Sequence, residues 1–316
     1  MSGELVSLLN ILIFPGLLFL MVFGLAAQYF DRKLHARLQN RVGPPWFQPL
    51  ADFLKLASKQ DVIPEKAGKT IFRFMPILAL SATTAAFFYI PLWQRGALFS
   101  FEGDVIVVLY LLTLPTLTFF LAGWYSGSPF SMIGAARTIT QLFAYEIPLL
   151  LGVLGPTLLA NTWSLSGVVA FYSAHPFYVL FNVVGFAVAL VALLGKLEKV
   201  PFDIPEAETE IVAGSFTEYG GRLLALFRMA MDIEMVVGAT LLAAVFLPFG
   251  MAGHWAVGFA LYLVKVFFIV ALLSVLRTIF ARMRIDQMIT FCWTIVAPIA
   301  FAQVLFDLVL KGIIGR

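Results

Sequence analysis

The sequence contains few residues of the types that hold metals and redox centres. It has one cysteine, Cys292, and three histidines that lie far apart, at His35, His175 and His254. A disulfide, a cysteine-based zinc site or an iron–sulfur cluster held by this chain alone is excluded, because each needs several such ligands. The motifs G-x-G-x-x-G and G-x-x-x-x-G-K-[ST] are also absent, so nothing indicates nucleotide binding. Any redox centres associated with the protein must therefore belong to partner subunits.

Charged residues are scarce as well. They make up 12% of the 316 residues, whereas 61% are hydrophobic and the mean hydropathy is +0.95. An ordinary soluble domain is about 25% charged and about 45–50% apolar. A soluble enzyme of this composition would have too little charge for its surface, so the sequence predicts a membrane protein that crosses the bilayer several times.

Long apolar runs predict eight membrane-spanning helices in a single all-α domain covering residues 1–316. Each run has about the 20 residues that a helix needs to cross the hydrocarbon core. The predicted spans are 7–30, 71–93, 104–124, 138–160, 177–196, 229–249, 256–279 and 289–310.

Positive charge is concentrated in the loops on one side of these spans. That side has 17 of the 21 lysines and arginines. The positive-inside rule then predicts that the long loops are cytoplasmic and that both termini lie outside. The membrane is expected to be the inner (plasma) membrane of the cell. The basic residues flank spans instead of forming a soluble patch, which argues against nucleic-acid binding.

The loop between the first two spans contains an amphipathic pattern. Leu50, Phe53, Leu54 and Ala57 recur at helical spacing after a proline-rich stretch. This spacing predicts a short helix in the membrane interface on the cytoplasmic side. Two interpretations remain open at this stage: a plain anchor, or one wall of a site at the membrane surface.

The loop between the fifth and sixth spans is acidic. Its segment 201–210 reads PFDIPEAETE, and Asp203 followed by Glu206 resembles a capping box. The pattern predicts a helix on which Glu206 and Glu210 share one face, where repulsion would raise the pKa of at least one of them. A solvated, well-capped loop is the alternative interpretation.

Several ionisable residues lie inside the predicted spans. Each such charge costs about 2.5–3.5 kcal/mol at mid-membrane depth on insertion scales, so it is usually paired, protonated or beside water. Two interpretations are open. An ion pair between Lys265 and either Glu146 or Glu234 would hold helices together, or these ionisable residues would form a chain that transfers protons. Asp307, near the end of the last span, is predicted to be an interfacial residue.

Taken together, the motifs resemble a known family. They are Asp31-Arg32-Lys33, Gly43-Pro44, Gln48-Pro49, Ala51-Asp52, Ala122-Gly123-Trp124, Tyr145-Glu146-Ile147-Pro148, the 201–210 segment, Glu218-Tyr219-Gly220-Gly221 and Arg282, Arg284 and Asp286. In this order they resemble the H subunit (subunit 1) of respiratory complex I and its relatives in membrane-bound [NiFe] hydrogenases.

The resemblance implies a membrane piece that joins a membrane arm to a peripheral electron-transfer arm. The residues expected to form the ion pathway are Glu146, Asp203, Glu206, Glu208, Glu210, Glu218, Glu234 and Lys265. Those expected at the docking surface and cavity mouth are Arg32, Lys33, Arg37, Arg41, Asp52, Lys55, Arg282, Arg284 and Asp286. The implied partners are hydrogenase-like large and small subunits, a ferredoxin-like iron–sulfur subunit and antiporter-like membrane subunits, with the iron–sulfur and [NiFe] centres in the partners and no cofactor in this chain.

Departures from the complex I pattern favour the hydrogenase branch. The third-to-fourth loop reads Ser126-Gly127-Ser128-Pro129-Phe130, and Leu197-Glu198-Lys199-Val200 precedes the 201–210 segment. The leading hypothesis is a non-redox membrane subunit that couples a hydrogenase-like reaction, as in formate hydrogenlyase, to proton or sodium transport. The alternatives are a sulfur-reducing relative, a quinone-site subunit of a NADH- or ferredoxin-quinone oxidoreductase, and a secondary transporter acting alone, for which the expected internal repeats are missing.

Overall fold

The computed structural model describes residues 9–93, 96–250 and 254–314 and is 76% helical. Within these ranges, eight helical segments are long and apolar enough to cross a membrane, which confirms the predicted number of spans. The α-helices are α1 (Leu17–Leu38), α2 (Gln48–Ala57), α3 (Lys69–Phe88), α4 (Asp104–Trp124), α5 (Pro129–Ala160), α6 (Leu165–Ala174), α7 (Val183–Lys196), α8 (Glu208–Ile211), α9 (Gly221–Phe246), α10 (Trp255–Ile279), α11 (Ile285–Phe291) and α12 (Ala297–Ile314).

Helix α9 lies at the centre of the bundle. Of its most apolar 18-residue stretch, 89% is buried inside the protein, whereas only 28% and 33% of the corresponding stretches of the first and last spans are buried. It packs against α1, α2, α3, α7 and α10. Because α9 is enclosed by protein instead of lipid, ionisable side chains on it can be held only by other side chains or by enclosed water.

The connections divide into two sets. We call the end of the bundle with loops 39–68, 125–128, 197–220 and 280–284 the basic end, and the other the opposite end. Helix α2 confirms the amphipathic prediction at the basic end: Phe53 and Leu56 face a cavity described below, whereas Leu50 and Leu54 are exposed.

Two of the spans are interrupted. The fifth begins as a 3-10 segment, Pro176–Asn182, before continuing as α7. The eighth comprises α11, a π-helical turn at Cys292–Val296 and α12. Interrupted spans leave backbone carbonyls without helical partners, and such carbonyls often lie beside ions in membrane proteins.

The predicted capped helix starting at Asp203 is wrong. The chain is not helical until Glu208, and α8 has only four residues. The reason is tertiary: Gln141 donates a hydrogen bond to the Phe202 carbonyl, and the Met283 backbone N–H donates one to the Pro201 carbonyl. These long-range bonds hold the segment in an irregular path and outweigh its local helix signals.

Candidate charged cavity and buried carboxylates

The innermost part of the site is a buried carboxylate that joins several elements. Asp31, on α1, is almost fully buried and accepts hydrogen bonds from Lys199 Nζ at 2.7 Å, Arg277 at 3.1 Å and the Ser274 hydroxyl at 2.6 Å. Two cations and a hydroxyl satisfy the charge that burial would otherwise penalise. This junction joins α1, α10 and the segment that follows α7.

Beside Asp31 lies a cavity of about 600 Å³ at the basic end. It is enclosed by α1, α2, α9 and the segment 197–206. Twelve of its 23 lining residues are charged, six acidic and six basic: Asp31, Asp52, Glu198, Asp203, Glu206 and Asp232, with Arg32, Lys55, Lys59, Lys199, Arg228 and Arg277. The cavity is therefore a polar chamber with balanced formal charge.

Glu198 occupies an unusual position in the cavity wall. Helix α7 ends in a Schellman motif, in which the Lys199 N–H bonds to the Leu194 carbonyl and the Glu198 N–H to the Gly195 carbonyl. Glu198 has φ +49°, the left-handed conformation that glycine usually provides at this position. Its side chain is buried, and neither carboxylate oxygen has a hydrogen-bond partner among the described residues.

Burial is the main reason that the pKa of Glu198 is raised well above its usual value. The nearby carboxylates of Glu206, Glu234 and Asp203 raise the pKa further, and Arg228 opposes them. Removing a carboxyl group from water disfavours its charged form, and adjacent negative charges add to that effect. The environment therefore favours a protonated Glu198 at the wall of an otherwise charged chamber.

Behind Glu198 lies an ion pair that is closed to solvent. Lys196 Nζ, on α7, is 3.6 Å from Glu234 Oε1, on α9, and both side chains are at most 1% exposed. Nζ has no hydrogen-bond partner in the described part of the chain, and it lies 5.4 Å from the centre of the Tyr145 ring. An ion pair with such incomplete solvation is held by charge alone, so it responds strongly to neighbouring charges.

Glu146 is the next carboxylate, on α5. Its Oε2 is buried and lacks a hydrogen-bond partner in the described regions, and it interacts electrostatically with Lys196. The adjacent Tyr145 hydroxyl is 2.8 Å from that of Thr116. Lys196 therefore carries a single positive charge that both Glu234 and Glu146 can share.

The structure places the predicted pathway residues in different environments. Two of them, Asp203 and Glu206, line the cavity, and Glu206 forms an ion pair with Arg228 at 2.9 Å. Two others, Glu146 and Glu234, lie behind the cavity wall near Lys196. Glu218 is half-buried on the turn before α9 and does not line the cavity. Glu208 is the first residue of α8, and its side chain lies outside the described parts of the structure.

Two of the predictions need correction. Glu210 is half-exposed and pairs with Arg137 at 2.6 Å and Arg282 at 3.4 Å, so it does not share a helix face with Glu206. The hydrogen bond from Arg137 lowers the pKa of Glu210, so Glu210 is not a carboxylate whose pKa is raised by repulsion. Lys265 pairs with neither glutamate; it donates to the Phe249 carbonyl in the opposite-end loop.

The sequence did not identify three residues that matter here. Lys196 and Glu198 lie at the end of a span where a charge is ordinary, and Asp31 entered only as part of a motif. Their roles depend on partners on other helices. A glutamate shortly after the apolar run of the fifth span, where glycine would normally end a helix, was the available signal for Glu198.

Of the predicted docking residues, Arg32, Asp52 and Lys55 line the cavity, and the other six lie elsewhere at the basic end. Arg32 pairs with Asp52 at 3.0 Å, and Gln48 donates a hydrogen bond to the same carboxylate. Arg284 and Asp286 are 3.8 Å apart and highly exposed. The remaining residues are Lys33, which donates to the Pro44 carbonyl, exposed Arg37 and Arg41, Lys55 at the cavity and Arg282.

Comparisons with known proteins agree with the architecture. The chain is 31% identical over 299 residues to the H subunit of NADH-quinone oxidoreductase from Carboxydothermus hydrogenoformans, and the match covers 91% of this chain and 85% of the relative. It is 33% identical over 331 residues to the corresponding protein of Bacillus thuringiensis subsp. konkukian, covering 96% of this chain and 95% of the relative.

A solved structure is also similar. A chain of the membrane-bound sulfane sulfur reductase, an archaeal respiratory membrane complex, superposes with a TM-score of 0.83 at 27% identity, covering 96% of this chain and 99% of that one. The family model described as NADH dehydrogenase matches residues 10–308. The chain therefore belongs to the NADH dehydrogenase family, as a membrane protein similar to the H subunits of respiratory complexes.

Proposed function

We propose that this chain binds a peripheral electron-transfer arm at its basic end and couples the reaction of that arm to ion transport. The observation that carries this proposal is Glu198: a buried, unpartnered carboxyl group between a charged chamber and an enclosed Lys196–Glu234 pair. Burying such groups in a membrane protein costs free energy, and groups of this kind usually serve ion movement or helix pairing.

Coupling follows from electrostatics in a poorly solvated interior. When the docked arm gains or loses charge near the chamber, the proton affinity of Glu198 changes. Loss of its proton to water in the chamber places a negative charge beside Glu234, which favours uptake of a proton by Glu234. Once Glu234 is neutral, Lys196 is left with Glu146 as its counter-ion. Each such change is worth more at low effective dielectric constant than in water, so a small charge movement at the mouth can alter protonation deeper inside.

The exposed surface at the basic end supports arm docking. It combines basic side chains at Arg37, Arg41 and Arg284 with large exposed apolar ones at Trp46 and Phe47. Aromatic and arginine residues are enriched at protein–protein interfaces. In this proposal the basic end faces the cytoplasm and receives the iron–sulfur subunit, while antiporter-like subunits share the membrane.

The proposal also concerns which kind of peripheral arm docks at the basic end. The Ser126–Phe130 loop favours a hydrogenase-like or sulfur-reducing complex. Gly127 has φ +74°, and Ser128 and Pro129 start α5 directly. The similarity to the sulfane sulfur reductase chain supports the sulfur-reducing member of this pair.

A quinone-site subunit is the second candidate, favoured by the names of the curated relatives. Half of the cavity wall is charged, however, and a charged wall does not suit the apolar prenyl tail of a quinone. Inhibition of the purified complex by a quinone-site blocker would favour this candidate.

The test compares ion movement with electron transfer in membrane vesicles that contain the assembled complex. The vesicles receive a low-potential donor such as reduced methyl viologen, and proton and ²²Na⁺ uptake are measured per electron transferred. We expect Glu198→Gln to lower the ratio at least tenfold while assembly on native gels stays intact. Glu102→Gln, at an exposed site of the opposite end, is the control.

An unchanged ratio in Glu198→Gln would contradict the proposal. Glu146→Gln provides a second variant if the first fails to assemble, because it lies on another helix and is expected to lose uptake in the same way. Mass spectrometry of the purified complex identifies the arm, and a preparation free of any iron–sulfur subunit would overturn the docking role.

A further inference from the structure

Another buried carboxylate lies far from the charged cavity, in the half of the membrane near the opposite end. Asp307, on α12, is fully buried. Its two oxygens accept hydrogen bonds from one neutral group, Gln303 Nε2, at 3.1 Å each. Lys311, one turn further, donates to Asn161 instead. Within the described regions, therefore, Asp307 has no ion-pair partner, so its negative charge lacks a balancing cation.

An amide oxygen without a partner lies in the same region. Asn182 ends the 3-10 part of the fifth span and is 2% exposed. Its Nδ2 donates to the Tyr172 hydroxyl at 2.9 Å and to the Tyr178 carbonyl at 3.3 Å. Tyr172 in turn donates to the Pro156 carbonyl, which fixes the orientation of the amide. Asn182 Oδ1 is left buried with no donor among the described residues.

Both acceptors face the same glycine. A methyl group on Gly155 would lie 2.4 Å from Asp307 Oδ2 and 3.9 Å from Asn182 Oδ1. The absence of a side chain at Gly155 thus lets the Asp307 carboxylate pack directly against α5 and brings it close to Asn182 Oδ1. Two acceptors held close together repel each other unless a proton donor or a cation lies between them.

The backbone supplies a further acceptor nearby. Pro156 has no N–H, so the carbonyl of Gly152 loses its helical partner on α5. That carbonyl lies 3.4 Å from the position a Cβ would take on Gly185 of α7, and the Gln303 side chain lies 3.6 Å from the same point. The fourth span therefore lacks one helical hydrogen bond in this region, and the fifth span begins here with its 3-10 segment.

We propose that Asp307, Asn182 and the free Gly152 carbonyl form a binding site for a dehydrated sodium ion. Carboxylate, amide and carbonyl oxygens are the ligands that hard cations prefer. One carboxylate balances a single positive charge, whereas a divalent ion is normally held by more than one. Discontinuous helices that present free carbonyls at membrane depth bind sodium in several transporter folds. The site is separate from the cavity and does not depend on which arm docks.

Sodium binding to the purified, detergent-solubilised complex tests the site directly. Equilibrium ²²Na⁺ binding is compared between the wild-type complex and the variants Asp307→Asn and Gly155→Ala. We expect Asp307→Asn to lose one bound ion per complex, and Gly155→Ala to weaken that ion's binding at least tenfold because its methyl group displaces the Asp307 carboxylate. Lys311→Gln, one turn from Asp307, is the control and should keep the full number of ions.

Equal sodium stoichiometry in the wild type and Asp307→Asn would overturn the proposal. A measurement without variants covers the case in which both substitutions prevent assembly. The melting midpoint of the wild-type complex should rise with NaCl but not with equal KCl or choline chloride, because a ligand that binds only the folded state stabilises it. Identical midpoints in the three salts would also overturn the sodium site, leaving Asp307 as a protonated carboxyl group.

Discussion

Glu198 combines two unfavourable features in one residue. A left-handed backbone at a residue other than glycine costs about 1–3 kcal/mol, and its buried carboxyl group has no donor among the described residues. Glycine would remove both costs at the end of α7. A residue that carries such costs usually has a function. The proposed function of Glu198 is to link the chamber to the Lys196–Glu234 ion pair.

The raised pKa of Glu198 makes stability depend on pH in a definite direction. Below about pH 4.5 the residue is protonated in both the folded and unfolded states. At higher pH the unfolded chain releases the proton and the folded one retains it, so folding becomes less favourable as pH rises to the folded-state pKa. Each pH unit in this window removes about 1.4 kcal/mol.

We therefore expect the Glu198→Gln complex to match the wild type in melting midpoint near pH 4.5 and to exceed it increasingly at higher pH. Thermal unfolding of the two complexes and the Glu102→Gln control between pH 5 and 9 checks this. Parallel curves for all three would show that Glu198 ionises normally in the folded protein.

At the level of elements, the irregular segment 197–216 shapes the chamber wall and depends on one glycine. Gly214 has φ +53°, and a Cβ there would lie 1.8 Å from the Pro205 carbonyl oxygen. The same turn packs against α5 at Gly134, where a Cβ would be 2.4 Å from the Ser215 nitrogen. Close backbone approach on two sides leaves no room for the turn to shift.

Gly214→Ala should consequently displace the acidic segment. Strain in the left-handed conformation alone costs about 1–2 kcal/mol, and the contact with Pro205 adds to it. We expect a lower melting midpoint and loss of ion uptake. Gly220→Ala is the matched control, since its φ is −141° and nothing lies within 4 Å of the added methyl group. Equal behaviour of the two variants would contradict the importance of this turn.

The sequence predicts helices well and helix partners poorly. Each span is a run of about 20 apolar residues, a local property, so all eight were identified. The partners of buried charges are not local: Lys196 meets Glu234 and Asp31 meets Arg277 only through packing of distant spans. Segment 201–207 carried helix signals that hydrogen bonds from α5 and from residue 283 outweighed.

At the level of the whole molecule, the unequal distribution of basic residues predicts that the basic end faces the cytoplasm. The single cysteine makes this simple to test, because Cys292 is buried and contributes little background labelling. In right-side-out vesicles, a membrane-impermeant thiol reagent should label Glu102→Cys and leave Ser58→Cys unlabelled. In inverted vesicles the pattern should reverse. Labelling of Ser58→Cys in right-side-out vesicles would reverse the proposed orientation.

The junction at Asp31 has a consequence for how the protein is made. Its arginine partner lies 246 positions later in the chain, on α10. During synthesis the first helix therefore enters the bilayer with an acidic group whose counter-ions have not yet been translated. Lys199 is translated before α10, but the junction stays incomplete until Ser274 and Arg277 emerge, so a chain halted before residue 274 lacks the contacts that tie α1 to α10.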